Sequence, residues 1–320
     1  MKNIYIGMSL FNYSDKMQSE YLEKQLHSNV ELKTFMPFRD TNEDELEGDN
    51  KTKIVYDEDI KRLDSKDLKM MVALYDGICK DEGISLEIGY AFGKGVPIFI
   101  INTDFIWYEL SKEKYIFDPI IENMCSGYHH YYYINKEKDF FDSLVNSQNK
   151  AFSVAGRKIK ALIDNVNPIR NIRPIDLDRI DVFIDFGGNK YEYQRELTNW
   201  LKKSLSEWGF KVEISQRFFK NNEQLISEKA KNDINNLLNA DYFVFLGDEV
   251  EVNPGTAALL GLSKSLNKRN IMYESSELEI MGENGHKMKK NLMIDFSVDV
   301  ITKSKQSTLD YLIRELEVQR

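Results

Sequence analysis

Three carboxylates are the residues best suited to chemistry: Asp59, Asp81 and Glu87. Asp81 and Glu87 share the segment DEGISLEIGYAFGKGVPI, in which Gly83 and Gly89 also stand. A carboxylate can stabilise or attack a developing cation, and a carboxylic acid can deliver a proton to a leaving group. Other chemistries find little support. Two cysteines, Cys79 and Cys125, and four histidines show no metal-ligand spacing. Neither cysteine has a basic neighbour arranged to lower its thiol pKa, so both read as structural. Gly93-Lys94-Gly95 ends a helical stretch and does not follow a strand, so it is no phosphate loop. The run His129–Tyr133 alternates aromatics in the manner of a packed strand face.

The elements that must position these carboxylates alternate between strand and helix. In the first half, strands are expected at 3–8, 30–36, 70–75, 96–102 and 129–134, with helices at 14–27, 52–69, 83–92 and 136–165. The pattern restarts with strands at 181–186, 210–215, 241–246, 270–274 and 298–302. Such alternation implies parallel sheets covered on both faces. The expected architecture is α/β: two tandem flavodoxin/Rossmann-like domains, each a roughly five-stranded parallel sheet with helices on both faces. The boundaries are 1–165, a linker at 166–178 that carries Pro168 and Pro174, and 179–320. Ligands bind such sheets beyond the carboxyl ends of the strands. The loops there hold Gly7 to Asn12 with Phe11, Pro37 to Asp40, and Asp76 to Asp81, followed by Gly83 and Glu87. They should converge on one cleft. The polar runs 42–50 and 277–290 read as loops beside it.

Composition bounds the partners. The chain has 320 residues, enough for two cores, with 42% hydrophobic and 30% charged residues. Its 43 Lys+Arg against 52 Asp+Glu leave a net charge of −9, which argues against a nucleic-acid backbone or an anionic membrane as main partner. The start, MKNIYIGMSLFNYSD, turns polar too soon for a signal peptide, and the longest apolar run, Val96–Ile101, is too short to span a bilayer. A cytoplasmic location in a reducing compartment is the expectation.

The two halves are a repeat. Ile4-Tyr5-Ile6-Gly7 matches Val182-Phe183-Ile184-Asp185, Asp59 and Asp67 match Asp233 and Asp241, Gly83 and Gly89 match Gly255 and Gly261, and Asn123 matches Asn291. The offset shrinks along the chain, as it would if the second copy had lost loop residues.

The stretch Asp81, Gly83, Glu87, Gly89, Tyr90, Ala91 resembles the nucleoside 2-deoxyribosyltransferase family. The upstream elements agree with it: Tyr5, Pro37 with Asp40, and Tyr56 with Asp59 and Asp67. The resemblance covers about residues 1–135 clearly and 180–320 weakly. It implies that Glu87 is a nucleophile attacking C1′ of a 2′-deoxynucleoside, through an oxocarbenium-like transition state and a glycosyl-enzyme, as in a retaining glycosidase. It implies that Asp59 protonates the leaving base, Tyr5 orients Glu87 and Asp81 accepts from the 5′-hydroxyl. Gly83, Phe11 and Asp40 would line the substrate site. No cofactor and no metal is implied; the partners are small deoxynucleosides and nucleobases, in the setting of nucleotide salvage. A carboxylate at position 81 would repel a 5′-phosphate, whereas related monophosphate hydrolases place a serine there. Arg39 and Ser9 are the nearest candidates for a phosphate contact.

In the second copy Glu87 falls on Leu259 and Asp81 on Asn253, so that half should not perform this reaction. The family completes each site with an Asn-x-Met element from a neighbouring subunit, and Asn291-Leu292-Met293 fits that spacing, whereas Asn123-Met124 is one residue short. The expectation is an intramolecular pseudo-dimer in which the second half lends Asn291 and Met293 to the first. Further association into a homo-oligomer would follow family habit. The ordinary alternative is that Asn291 caps a turn and Met293 packs in a core. Two rival functions stand beside transfer: hydrolysis of deoxynucleosides or their 5′-monophosphates, and a non-catalytic nucleotide sensor.

Overall fold

Runs of apolar residues that stay apolar on both sides of the pleat can be buried only between two helical layers. Met70–Leu74 (MMVAL) and Ile98–Ile101 (IFII) are such runs, and both lie in strands. The computed structural model describes residues 2–9, 13–28, 31–41, 51–76, 80–104, 107–110, 113–132, 139–165, 179–187, 192–217, 224–248, 251–275, 280–281, 287–288 and 290–318. The expected linker, 166–178, and Phe11 and Cys79 lie outside them.

The first half contains β1 (Lys2–Met8), α1 (Tyr13–His27), β2 (Leu32–Phe35), α2 (Pro37–Asp40), α3 (Lys51–Leu63), β3 (Leu68–Leu74) and α4 (Glu82–Gly93). It continues with β4 (Ile98–Asn102), the hairpin β5 (Tyr108–Leu110) and β6 (Glu113–Tyr115), α5 (Pro119–Met124), β7 (Gly127–His130) and α6 (Phe140–Asn165). The second half contains β8 (Ile180–Asp185), α7 (Glu192–Glu207), β9 (Val212–Ile214), α8 (Ile226–Asn239), β10 (Ala240–Leu246), α9 (Pro254–Ser265) and β11 (Arg269–Tyr273). It closes with β12 (Ile280–Met281), β13 (Lys287–Met288), α10 (Leu292–Asp295), β14 (Val300–Thr302) and α11 (Lys305–Val318).

Each half builds one five-stranded sheet with the same order: β2-β1-β3-β4-β7 in the first and, read from the equivalent edge, β9-β8-β10-β11-β14 in the second. All pairings in both are parallel. The two tandem α/β units of the sequence reading are therefore present. The helix expected to reach Lys69 stops at Leu63, because Leu68 N turns back to Ser65 O and the buried Leu68 already belongs to β3. Among the described residues no helix is long and apolar enough to cross a membrane.

The strand alternation sorts side chains into three cores. Ile4, Ile6 and Met8 join Val72 and Leu74 under α1 and α6, whereas Tyr5, Met71 and Ala73 face the opposite way. Val182, Ile184, Val244 and Ile271 form the matching outer core of the second half. The inner faces of both sheets, with α3 to α5 and α8 to α10, share a single central core. Its middle is the crossing of α4 on α9. A Cβ on Gly89 would overlap the Ala258 carbonyl oxygen, and a Cβ on Gly261 would overlap the Leu86 carbonyl oxygen. These two contacts are reciprocal, as in the isologous interface of a two-fold dimer.

Candidate active site

In this sheet the strand order reverses between β1 and β3, with β2 added on one side and β4 and β7 on the other, and the crevice at that switch point is where an open α/β sheet offers a ligand site. Gly7 lies on β1 there, and Glu87 approaches it from α4. A Cβ on Gly7 would stand 3.0 Å from Glu87 Oε2 and 2.9 Å from the Met71 methyl carbon, so glycine is what lets the carboxylate reach the strand. Gly7, expected in the cleft loop that follows the first strand, is the penultimate residue of β1.

Glu87 is 6% exposed. Burial holds its carboxyl well above the usual carboxylate range, Asp59 and then Asp81 raise it further, and the Tyr5 hydroxyl pulls it down. Tyr5 is fully buried on β1, with its ring 5.5 Å from that of Phe35. The Tyr5 hydroxyl interacts with the Glu87 carboxylate, and among the described residues neither Tyr5 Oη nor Glu87 Oε2 has another hydrogen-bond partner. Burial, Asp59 and Glu87 keep that phenol well above its ordinary pKa, so it is a neutral donor. Asp59 projects from α3 into the same anionic centre and is 3% exposed. Asp67 instead lies exposed in the turn before β3.

Asp81 is the N-cap of α4. Its carboxylate accepts from Ile84 N at 3.0 Å, with the Gly83 amide and the Ser9 hydroxyl as further donors. Burial nevertheless raises its pKa, and Glu251 from the second half raises it too. Ser9 is thus spent on Asp81. Arg39 is paired with Glu23 at 2.7 Å and Asp40 at 2.8 Å. Asp40 also accepts from Met36 N at 2.8 Å, and it lines a cavity of about 290 Å³ with Tyr5, Phe35, Arg62 and Leu68.

The second half reaches this site. Asn291 is the N-cap of α10, its Oδ1 accepting from Met293 N at 2.9 Å, and its side chain lies against Gly83. A Cβ on Gly83 would be 3.0 Å from Asn291 Nδ2 and 3.0 Å from Asp81 Oδ1. Asn291 therefore both caps a turn and borders the Asp81 loop. Met293 is buried in the central core.

The reciprocal contact corrects the repeat. Gly255, the counterpart of Gly83, meets Asp118, the N-cap of α5. Asp118, not Asn123, is the structural equivalent of Asn291. Asn123 lies later in α5 and donates to Pro119 O and Ser227 O. The short helices α5 and α10 are too brief for periodicity to show, so matching asparagines by type chose the wrong turn. A pairing unseen in the sequence supports the same repeat: Asp76 accepts from Thr103 N and Oγ1, and Asp248 accepts from Ser275 N and Oγ.

The counterpart pocket of the second half is filled by the chain itself. Arg217, after β9, is 1% exposed and pairs with Asp185 at 3.0 Å and Asp233 at 3.4 Å, with Asp118 at 4.0 Å from across the interface. Thr256 Oγ1 and Asn253 Oδ1 accept from it at 3.2 and 3.3 Å. Asp185 and Asp233 occupy the places of Gly7 and Asp59, and Leu259 that of Glu87. Burial pushes Asp233 up to about 6 against the pull of the guanidinium. A guanidinium thus stands where the first half keeps its crevice.

The remaining sequence candidates are structural. His129 is buried and its pKa is lowered to about 4, first by burial and then by Lys158, and His130 Nε2 contacts Asp104 O at 2.7 Å. The Cys125 thiol is pushed up to about 11, chiefly by burial. Among the described residues no group of three or more His, Cys, Asp or Glu is placed to hold a metal ion.

Comparison with known proteins agrees with the motif reading. Residues 4–145 match the sequence profile of the family described as nucleoside 2-deoxyribosyltransferase. No curated protein matches the chain. Among solved structures, the chain is similar to a conserved protein from Enterococcus faecalis V583, with 28% identity, 33% of this chain and 65% of that one covered, and a TM-score of 0.29. It is similar to a CMP N-glycosidase of Clostridium botulinum, BcmB, with 20% identity, 42% and 98% coverage, and a TM-score of 0.29. A third likeness is to the fructose-binding periplasmic domain of a hybrid two-component system, with 10% identity, 99% and 85% coverage, and a TM-score of 0.23. The profile is matched over the sheet, crevice and carboxylates described above, so residues 4–145 are similar to the nucleoside 2-deoxyribosyltransferase family.

Proposed function

We propose that this domain transfers 2-deoxyribose between nucleobases through a covalent ester on Glu87. The observation that carries the reading is the buried Glu87 carboxylate at Gly7, faced by the Tyr5 hydroxyl and within the field of Asp59 and Asp81. Such a centre favours positive charge developing at the anomeric carbon. Glu87 attacks C1′, the C1′–N bond breaks, and its electron pair stays on the base nitrogen. Asp59 supplies the proton that makes the base a neutral leaving group. A second base then attacks C1′ of the ester, returns a proton to Asp59 and frees Glu87.

Asp81 accepts a hydrogen bond from the 5′-hydroxyl, and Asn291 Nδ2 borders the same turn. The substrate is a free nucleoside. Asp81 and Glu251 set negative charge where a 5′-phosphate would sit, and Arg39 is engaged elsewhere. The second half acts as a resident partner with no nucleophile of its own. The test is chromatography of the purified protein with deoxyinosine and free adenine, beside Glu87→Ala. Deoxyadenosine and hypoxanthine, absent with the variant, are expected. Hypoxanthine with free deoxyribose would make water the acceptor. No product from the wild type would overturn the reading.

A further inference from the structure

Glu82 follows the N-cap of α4, where a glutamate ordinarily sits in solvent near the positive end of the helix. Here it is 6% exposed and turned across the boundary between the halves. Its Oε2 accepts from Val252 N, and its Oε1 accepts from Asn291 N at 3.2 Å. Both donors belong to the second half: Val252 immediately precedes Asn253, the N-cap of α9, and Asn291 is the N-cap of α10. One carboxylate therefore ties two backbone turns to the turn that carries Asp81.

The Asn291 turn is the one that borders the site. Its Oδ1 is taken by Met293 N, which makes Nδ2 the group it can offer to a ligand at Gly83 and Asp81. The tie is one-sided. The position equivalent to Glu82 in the second half is Pro254, which has no side-chain acceptor. The half that holds the carboxylates has the clasp, and the half filled by Arg217 does not.

We infer that Glu82 is a positioning residue for the proposed site, clasping the Asn291 turn against the Asp81–Gly83 turn so that Asn291 faces the bound sugar. This rests on the reading given under Proposed function. The groups facing Glu82 are Asp81 on its own helix, and the Val252 and Asn291 amides and the buried Lys290 from the second half. Lys290 is in turn faced by Glu274, Asp295 and Asp248. Burial, and to a lesser degree Asp81, hold Glu82 at about 7. The ionised carboxylate accepts from both amides. Protonation turns one oxygen into a donor and loosens one arm, so the clasp weakens as the pH falls through neutrality.

The test measures KM and kcat for base release from deoxyinosine at pH 6 and pH 8 in the wild type, Glu82→Gln, Asn291→Ala and the double variant. Hydrogen–deuterium exchange of the backbone over 290–296 is read on the same proteins. Losing a charged acceptor for one amide is expected to raise KM about tenfold in Glu82→Gln, with kcat changed less than about threefold. The variant should exchange faster over 290–296, lose the wild-type tightening of KM between pH 6 and pH 8, and add nothing to Asn291→Ala. Glu82→Asp keeps the charge on a shorter arm, so it should raise KM yet retain the pH response, which covers the case of a Gln variant that does not fold. An active wild type whose Glu82→Gln variant shows unchanged exchange, or effects additive with Asn291→Ala, overturns the clasp alone. A wild type that releases no base overturns the functional reading, and the positioning role falls with it.

Discussion

At the scale of single residues, the site rests on carboxylates that burial keeps hard to ionise. Glu87 must be ionised to attack, and its pKa is held well above the usual range by burial, Asp59 and Asp81. The kcat/KM for base exchange should therefore fall on the acid side with an apparent pKa above the ~4.3 of a free glutamate, as a pH–rate profile would show. A profile flat down to pH 4 would remove Glu87 as the titrating nucleophile. Asp81 caps α4 and, in the proposed reaction, meets the 5′-hydroxyl, and a substitution can separate the two roles. Asparagine caps helices as well as aspartate does, and the second half already uses Asn253 at this position. Asp81→Asn should thus leave thermal stability nearly unchanged. It should also narrow the preference for deoxynucleosides over their 5′-monophosphates by about tenfold or more, read as the ratio of the two kcat/KM values, since a charge is removed. The identities of Glu87, Asp59 and Asp81 were legible because their types and spacing form a motif. Glu82 was not, because its partners come from a distant part of the chain.

At the scale of elements, α4 carries Glu87 on one side and crosses α9 on another. Gly89 allows the crossing, with no room for a Cβ against Ala258 O. Gly89→Ala should cost about 1–3 kcal/mol or more through overpacking, measured by denaturant unfolding, and should depress activity because α4 cannot shift without moving Glu87. A variant of wild-type stability and activity would contradict the close crossing. Most strands were readable because buried strands leave apolar runs, such as MMVAL and YFVFL, whereas β7, expected at 129–134, lies at Gly127–His130. The hairpins and the short helices α5 and α10 carry too few residues for a period to register. That is why the turn bearing Asp118 was matched to the wrong residue.

For the whole molecule, the two halves are equivalent in topology and opposite in content. The Arg217 cluster draws aspartates from β8, α8 and the N-cap of α5, and no local sequence pattern announces it. Breaking a buried ion cluster leaves uncompensated charge, so Arg217→Met should destabilise the chain by roughly 3–5 kcal/mol in equilibrium unfolding. A neutral result would mean that the cluster is not closed to solvent. Glu82 adds a pH term to stability. Its folded pKa of about 7 exceeds the ordinary 4.5, so its contribution is fully present below about pH 4.5 and is lost as the pH rises to about 7. Glu82→Gln should flatten that slope in thermal unfolding measured across this window.

The covalent role of Glu87, in the first half alone, carries the proposed function. It is tested most directly by intact mass and peptide mapping after incubation with a 2′-fluoro-2′-deoxyarabinosyl nucleoside, whose electron-withdrawing fluorine slows breakdown of a glycosyl ester. One added sugar per chain is expected, on the peptide that contains Glu87, and none in Glu87→Ala. Base release without an adduct, or an adduct on a peptide of the second half, would contradict it.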